Sequence, residues 1–209
     1  MKTNIPKIFL YEQLDSTMDE AKRLIKSGEI KDTAVVVADY QTKGRGTHGR
    51  QWDSPKGAGI YFSVVQLPGG KKYFETTTVY TLACGIACVE SIYEVCGIKP
   101  SLKLINDIYY TGKKLGGILV ESKLHEEGIS SLVTGVGINV RKTNYNLDRE
   151  IVCPVSLEEI LPGKAFDKFS KKLLIESIVE KIYFWYEKVF AGEHDAIKST
   201  WELYKIPQN

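Results

Sequence analysis

A glycine-rich basic segment, "GRGTHGRQWDSPKGAGIYFS" over residues 44–63, constrains this chain more than any other stretch. A β-branched run at 33–40 leads into it, and an apolar run at 60–67 leaves it. Both flanks predict strands, because branched and aromatic side chains suit a pleated sheet. The segment between them is predicted to be a loop whose glycines let backbone N–H groups approach a ligand closely.

The arginines of this segment suit an anionic ligand. Arg45 and Arg50 offer paired donors that match carboxylate and phosphate groups. The residue order fits neither the GxxxxGK[ST] phosphate loop nor a GxGxxG turn that opens a helix. From these residues alone, a mobile surface loop with solvated arginines stays an alternative.

A second segment, "LKLINDIYYTGKKLGGILVE" over 102–121, supplies a candidate cation site. Asn106 and Asp107 offer oxygen ligands for a hard cation, and Mg²⁺ bound to phosphates is the common case. Lys114 adds a compact positive charge just before two glycines. Asn-Asp pairs are more often plain turns, so the segment alone is a weak signal.

A third segment, "GVGINV" over 135–140, ends a predicted strand with two glycines and Asn139. Together with the two segments above, it indicates a pocket for an anion and a metal. The remaining chain is predicted to form strands and helices at 7–14 (strand), 15–28 (helix), 74–97 (helix), 101–105, 108–114, 115–124 and 130–140 (strands), 165–190 and 193–204 (helices). This order predicts one α/β (α+β) domain with a mixed, largely antiparallel sheet flanked by helices.

Composition narrows the class of protein. The net charge of +2 over 209 residues gives no overall signature for binding a polyanion. The four cysteines form no CxxC pair, and Cys84 and Cys88 are predicted to be small buried residues. We found no signal peptide and no apolar stretch of membrane-spanning length, which predicts a reduced, cytoplasmic protein without membrane contact.

At this point the three segments resemble the signature of the biotin–protein ligases, also called biotin–[acetyl-CoA-carboxylase] ligases. That family carries GRGRxGRxWxSPxGxxLxxS, KWPNDI, KKLxGILxE and GxGINV in this order. The present chain has "GRGTHGRQWDSPKGAGIYFS", "KLINDI", "KKLGGILVE" and "GVGINV", and "DST" at 15–17 also matches. The agreement covers residues 7–140, and the helical remainder at 155–204 fits more loosely.

The resemblance implies a class II synthetase-like fold and an enzyme that activates biotin with ATP and Mg²⁺. Biotinyl-5′-AMP and pyrophosphate form first, and biotin then passes to a lysine of a biotin carboxyl carrier domain of acetyl-CoA carboxylase or a related carboxylase. For biotin the resemblance implies these residues: Ser16, Thr17, Gln41, Arg45, Gly46, Thr47, Lys114, Gly116 and Gly117. For ATP it implies Arg50, Trp52, Asn106 and Asn139. Asp107 is implied as the metal contact, and Lys114 and Arg45 as the catalytic cations.

Three departures from the family pattern matter. Thr47 stands where the family has a further arginine, and Leu104 and Ile105 replace Trp-Pro. We also expect 1–209 to be a catalytic domain that lacks the helix-turn-helix domain of many relatives, and hence no DNA binding. A C-terminal SH3-like domain is expected to be absent or truncated.

Two other functions stay open beside biotin ligation. One is a lipoate- or octanoyl-transferring enzyme of the same fold group, although the basic loop and "KKLGGIL" are motifs of the biotin side. The other is a non-catalytic module that binds nucleotide or nucleic acid, which leaves the Asn-Asp and lysine cluster unexplained. By analogy with members of this family, a homodimer is a further expectation.

Overall fold

In a computed structural model, the described residues are 6–68, 76–103, 105–126, 128–143 and 153–206. Seven strands form among them: β1 Lys7–Leu14, β2 Ala34–Gln41, β3 Gly59–Gln66, β4 Ser101–Lys103, β5 Asp107–Tyr110, β6 Lys113–His125 and β7 Gly128–Asn139. They build one sheet in the order β1-β2-β3-β7-β6-β5-β4. Only β1 and β2 pair in parallel, and the other five pairings are antiparallel, which confirms the predicted mixed sheet.

Six α-helices accompany the sheet in the described ranges: α1 Thr17–Ser27, α2 Thr77–Cys96, α3 Leu157–Ile160, α4 Gly163–Asp167, α5 Lys171–Phe190 and α6 His194–Tyr204. Helix α1 covers one face through Met18, Ala21 and Leu24, which pack with Val36 and Val133 of the sheet. Helices α2, α5 and α6 cover the opposite face and enclose the larger apolar cluster. The burial of apolar side chains on both faces is the main force that holds these layers together.

The ends of α1 and α2 follow from local chemistry. Gly28 and Gly97 each follow the last turn with φ of 78° and 72°, a left-handed conformation that glycine adopts without a steric penalty. Asp19 and Glu20 lie in the first turn of α1, where the helix dipole favours negative charge. These boundaries agree with the sequence prediction.

Two predicted elements differ from the structure. The helix predicted at 165–190 is interrupted after Asp167, and α5 starts anew behind Ser170, whose hydroxyl accepts a hydrogen bond from the Leu173 N–H at 3.3 Å. The strand predicted at 108–114 is split by a turn at Thr111 and Gly112, with φ of 46° and 79°. The two lysines after this turn therefore begin β6 instead of ending β5.

Helix α2 shows that the prediction of no apolar stretch of membrane-spanning length was wrong. Thr77–Cys96 is long and apolar enough to cross a membrane by length and composition, contrary to the sequence analysis. In the fold it packs against α5, α6 and β6, and 67% of its most apolar window is buried inside the protein. Its apolar character is explained by this central position in the core.

Candidate active site

A cavity of about 400 Å³ lies where the N-terminus of α1 meets the ends of β2, β6 and β7. Its wall includes all the residues singled out from the sequence except Gly116: Ser16, Thr17, Gln41, Arg45, Gly46, Thr47, Arg50, Trp52, Asn106, Asp107, Lys114, Gly117 and Asn139. These residues are spread over more than 120 positions of the chain, and the sheet order brings them together. A concave site with converging polar groups is typical of a small-molecule pocket.

The inner end of the cavity carries a buried polar network. The Thr17 N–H donates to Gln41 Oε1 at 2.8 Å, and Gln41 Nε2 donates to Ser54 Oγ at 2.8 Å. The Ser63 hydroxyl donates to Thr17 Oγ1 at 2.8 Å. This network fixes the orientation of the Gln41 amide and the Thr17 hydroxyl, since each has a defined neighbour.

Ser16 stands apart from that network. It occupies the N-cap position of α1, but its side chain caps no backbone N–H, and only 1% of the residue is exposed. Its buried Oγ has no hydrogen-bond partner among the described residues. A buried hydroxyl without a partner costs about 1–3 kcal/mol, so this atom favours a polar ligand in the cavity.

The glycine-rich loop folds back on itself as a short hairpin. Arg45 bridges Gln51 in antiparallel fashion, and the Gly46 N–H donates to the Arg50 carbonyl at 2.8 Å. At its tip, Thr47 Oγ1 accepts a hydrogen bond from Arg50 Nη2 at 3.0 Å. Thr47 and Arg50 therefore bind each other in this state.

Trp52 lies on the floor of the cavity. A Cβ atom added to Gly117 would sit 2.9 Å from Trp52 Cζ3, and one added to Gly137 would sit 2.5 Å from Trp52 Nε1. Only glycine leaves room for the indole at these two positions. The resemblance implied that Gly117 contacts the biotin ring system, whereas here the indole of Trp52 covers this glycine, and its buried Nε1 lacks a partner in the described chain.

Lys114 and Asp107 form an ion pair at the outer part of the cavity. Lys114 Nζ lies 2.7 Å from Asp107 Oδ1, and the two side chains are 17% and 24% exposed. Asn106 Nδ2 donates to the same carboxylate oxygen at 3.2 Å, and Lys114 Nζ lies 5.4 Å from the centre of the Trp52 ring. The cation and the candidate metal ligand are therefore direct neighbours.

A β-bulge brings Lys114 and Gly117 into the same cavity. Strand β5 pairs Tyr109 with Lys114 but Ile108 with Gly116, so one residue of β6, Leu115, is additional. Leu115 is fully buried in the large apolar cluster. Without the extra residue, positions three apart in a strand would point to opposite faces.

Gly116 is the predicted site residue that the structure does not bring into the cavity wall. A Cβ at this position would meet the Gly137 carbonyl at 2.8 Å and Ile108 Cδ1 at 3.2 Å. Gly116 therefore faces the core side of the sheet, and its geometry gives no support to the biotin contact that we expected.

Asn139 lines the cavity, yet its amide serves the backbone. Its Nδ2 donates to the carbonyls of Val155 at 3.1 Å and Lys114 at 3.3 Å. The Lys114 N–H in turn donates to the Cys153 carbonyl at 2.8 Å. Asn139 thus ties residues 153–155 to the start of β6 and holds the backbone of Lys114 in place.

Arg45 is held by two carboxylates that the sequence analysis did not single out. Its Nη1 donates to Asp19 Oδ1 at 2.9 Å and to Glu121 Oε2 at 3.1 Å, and its Nη2 donates to Glu121 Oε1 at 2.5 Å. Burial disfavours the charge of Arg45, but the hydrogen bonds with Glu121 and Asp19 outweigh it and raise its pKa. Motif spacing offered no signal for this contact, because Glu121 lies 76 residues away along the chain.

Known proteins resemble this chain over most of its length. The family described as biotin/lipoate A/B protein ligase matches residues 10–139. Among curated relatives, the bifunctional ligase/repressor BirA of Bacillus subtilis is 31% identical over 199 residues, which is 95% of this chain and 59% of the relative. The biotin–[acetyl-CoA-carboxylase] ligase of Mycobacterium tuberculosis is 30% identical over 78% of this chain and 60% of its own length. The chain thus spans about three fifths of these relatives.

Solved structures give the same relationship. The biotin protein ligase of Aquifex aeolicus in complex with biotin and ATP superposes with a TM-score of 0.76 at 29% identity, covering 96% of this chain and 78% of that one. The biotin protein ligase of Leishmania major in complex with biotinyl-5-AMP gives a TM-score of 0.71 at 28% identity, covering 98% and 85%. On the match over residues 10–139, the chain belongs to the biotin/lipoate A/B protein ligase family.

Proposed function

We propose that this protein is an ATP-dependent biotin–protein ligase. It forms biotinyl-5′-AMP and pyrophosphate, and then transfers biotin to a lysine of a biotin carboxyl carrier domain of acetyl-CoA carboxylase or a related carboxylase. The carrying observation is that the motif residues from three distant segments line one cavity. The relatives support it, because their structures were solved with biotin and ATP and with biotinyl-5-AMP.

The inner end of the cavity suits the ureido group of biotin. A ureido group offers one carbonyl acceptor and two N–H donors. The free hydroxyl of Ser16, the Thr17 hydroxyl and the oriented Gln41 amide supply a mixed set of donors and acceptors there. The floor at Gly117 is the place for the ring system, provided that the indole of Trp52 moves away from it.

The outer end suits the reacting anions. A carboxylate oxygen of biotin attacks the α-phosphorus of ATP, the bond to the bridging oxygen breaks, and pyrophosphate leaves. Two anions repel as they approach, so cations that are already in place lower the barrier. Lys114 and Arg45 both line the cavity, and we assign them to the developing charge, with Gly46 and Thr47 beside Arg45.

In the second step, the amine of the carrier lysine attacks the acyl carbon of the adenylate. The bond from that carbon to the phosphate oxygen breaks, AMP leaves, and the amine loses a proton. The charge left on AMP resembles the charge of the first step, so the same cations serve both steps.

Magnesium enters this proposal as part of the substrate MgATP. The described residues contain no group of three or more His, Cys, Asp or Glu side chains that could hold a resident ion. Mg²⁺ on a nucleotide commonly uses one or two carboxylates together with phosphates and waters. Asp107 fits that minimal role, although it pairs with Lys114 here and would have to share its carboxylate.

The nucleotide is proposed to lie against Arg50, Trp52, Asn106 and Asn139. Arg50 is an exposed donor on the loop, and Asn106 forms the turn before Asp107. We also propose that residues 1–209 act as a catalytic unit in the cytoplasm. A homodimer belongs to the proposal by analogy only.

The test is biotin-dependent exchange of labelled pyrophosphate into ATP, followed by transfer to a carrier domain. We expect exchange with biotin and none with lipoate or octanoate in its place. Exchange with lipoate alone would move the chain to the lipoate branch of its family. The absence of exchange with each of these acids would contradict an adenylating function.

A further inference from the structure

Four charged side chains form a cluster beside the cavity: Asp19 and Lys22 of α1, Arg45 of the loop and Glu121 of β6. Lys22 Nζ pairs with Glu121 and lies 3.5 Å from Asp19 Oδ1. Of these four residues, Arg45 is the one in the cavity wall. Asp19 and Glu121 contact Arg45 directly, and Lys22 contacts both of these carboxylates.

We propose that Glu121, assisted by Asp19, is a positioning residue that aims the guanidinium of Arg45 at the reacting carboxylate and α-phosphate. This assignment rests on the proposed biotin-activating function. Glu121 is the last residue of the KKLxGILxE motif, but the motif assigns neither Glu121 nor Asp19 a part in the reaction.

The donor inventory of Arg45 carries the proposal. A guanidinium has five N–H groups in one rigid plane. The two carboxylates occupy both N–H groups of Nη1 and one of Nη2. The N–H of Nε and the second N–H of Nη2 remain, and they lie side by side along one edge of the plane. This edge matches a carboxylate or phosphate in the two-pronged manner.

The planarity of the guanidinium lets the two carboxylates set the direction of its free edge. Because the guanidinium is planar, fixing two of its edges with carboxylates fixes the direction of the third. Glu121 stands on a strand of the central sheet, on the face of Gly117 and Leu119, whereas Arg45 stands on the loop. The contact with Glu121 on β6 therefore restricts rotation of the Arg45 side chain, which the loop alone would leave free to rotate.

Lys22 balances the negative charge that two carboxylates place beside Arg45. Two carboxylates face two cations, so the four formal charges sum to zero, and Lys22 offsets part of the negative charge of Glu121. Burial opposes ionisation of Glu121, but the hydrogen bonds from Lys22 and Arg45 outweigh it and lower the pKa of this carboxyl. Glu121 is therefore ionised at neutral pH and can hold Arg45 there.

The experiment compares Glu121→Gln with the wild type in biotin-dependent pyrophosphate exchange. Glutamine keeps the shape of the side chain but removes the charge and turns one acceptor into a donor that opposes Arg45. We expect the maximal rate to fall about tenfold or more, because small errors in the placement of a reacting group are costly. The affinity for biotin should stay within about threefold, since its ureido end is held elsewhere.

A double-mutant cycle separates aiming from a merely structural role. In an Arg45→Ala background, Glu121→Gln should change the rate less than about twofold, because its target is gone. Glu94→Gln is the matched control: it removes the carboxylate of the 3.1 Å pair with Lys181, outside the cavity wall, and should leave the rate unchanged. Asp19→Asn should lower the rate less than Glu121→Gln does. If Glu121→Gln does not fold, Asp19→Asn takes its place in the cycle.

The outcomes divide clearly. A loss in Glu121→Gln that vanishes without Arg45 supports the assignment. Wild-type rates in Glu121→Gln, or an equal loss with and without Arg45, would overturn it while leaving the biotin ligase function intact. A wild-type protein without biotin-dependent exchange would overturn the function first, and the assignment with it.

Discussion

At the scale of single residues, Lys114 differs from the other cations of the cavity. Among the described residues, Arg45 is bound by two carboxylates and Arg50 by its own loop, while the Lys114 ammonium contacts the Asp107 carboxylate and the face of Trp52. We therefore assign to Lys114 the largest part of the charge stabilisation in the first step.

Lys114→Ala should lower the rate of adenylate formation by about 10²–10³ and leave biotin affinity nearly unchanged. Removing the ammonium takes away a donor that matters most when the two anions react. Lys113→Ala is the control, since Lys113 is the exposed neighbour on the same strand. Single-turnover adenylation and calorimetry with biotin measure both quantities. An adenylation rate of Lys114→Ala within a few-fold of wild type would contradict this role of Lys114.

Thr47 is the residue at which this chain departs from its family in the basic loop. Threonine offers one neutral hydroxyl, which here accepts a hydrogen bond from Arg50, whereas an arginine would offer a charged pair of donors. Hydrogen bonds to charged groups contribute about 1.5–3 kcal/mol against about 1 for neutral ones. This difference predicts that the wild type retains its adenylate weakly.

Thr47→Arg should slow the release of biotinyl-5′-AMP about tenfold or more. Filter binding of the labelled adenylate measures the release directly. Biotin labelling of an unrelated lysine-rich protein should fall in parallel, because that labelling depends on released adenylate. Equal labelling by the two proteins at equal adenylation rates would refute weak retention.

Individual residues also show where sequence reasoning succeeds. Thirteen of the fourteen predicted residues line one cavity. Each belongs to a short motif in which a glycine, a polar side chain or a charged side chain stands at a set position. The contacts of Asp19 and Glu121 with Arg45 were not predicted, although Glu121 ends the KKLxGILxE motif. Their partner, Arg45, lies 26 and 76 residues away, and no local pattern announces a contact over such distances.

At the scale of elements, the strands and long helices were predictable and their irregularities were not. Hydrophobic periodicity marks α1, and glycines mark the ends of α1 and α2. The bulge at Leu115 contradicts the simple alternation of a strand, yet it alone places Lys114 and Gly117 in one cavity. The bulge depends on how β5 pairs with β6, so the sequence of one strand does not predict it.

The loop from 44 to 52 is the element that we expect to move when biotin binds. It is held by Arg45 at the α1 side and by the Trp52 indole on the cavity floor. If biotin takes the floor at Gly117, the indole must leave a site where its Nε1 has no partner in the described structure. That missing hydrogen bond makes departure easier, since about 1–3 kcal/mol of desolvation cost is recovered.

Addition of biotin should therefore change the fluorescence of Trp52, through transfer of its indole to a new environment. A Trp185→Phe, Trp201→Phe protein isolates this signal, because the chain has three tryptophans. The same titration on a further Trp52→Phe variant provides the blank. An unchanged spectrum at saturating biotin, with binding verified by calorimetry, would show that the indole stays on the floor.

At the scale of the whole molecule, one sheet separates two apolar clusters, and the active site lies on the face covered by α1. The larger cluster joins α2, α5 and α6 on the opposite face and contains Cys84 and Cys88 with no exposed surface. Strands β6 and β7 contribute side chains to both faces. A shared sheet of this kind predicts that both clusters unfold together as one cooperative unit.

The four free cysteines allow this cooperativity to be measured. Cys153 is exposed, whereas burial raises the pKa of the Cys96 thiol from 9.0 to about 11 and lowers its reactive thiolate about a hundredfold. Burial also raises the pKa of Cys84, which together with Cys88 is inaccessible in the native fold. One thiol should thus react rapidly with a disulfide reagent, and Cys153→Ser should remove this fast phase.

Cys84 and Cys88 should become reactive only when the sheet opens as a whole. In pulsed thiol labelling across a urea gradient, their labelling midpoint should coincide with the fluorescence transition of Trp52, which lies on the other side of the sheet. Coincident midpoints are expected because the two clusters share β6 and β7 and neither keeps its strands when the other dissolves. If the cysteines label at clearly lower urea than the Trp52 transition, the helical layer opens separately, and the cavity does not depend on the larger core for its shape.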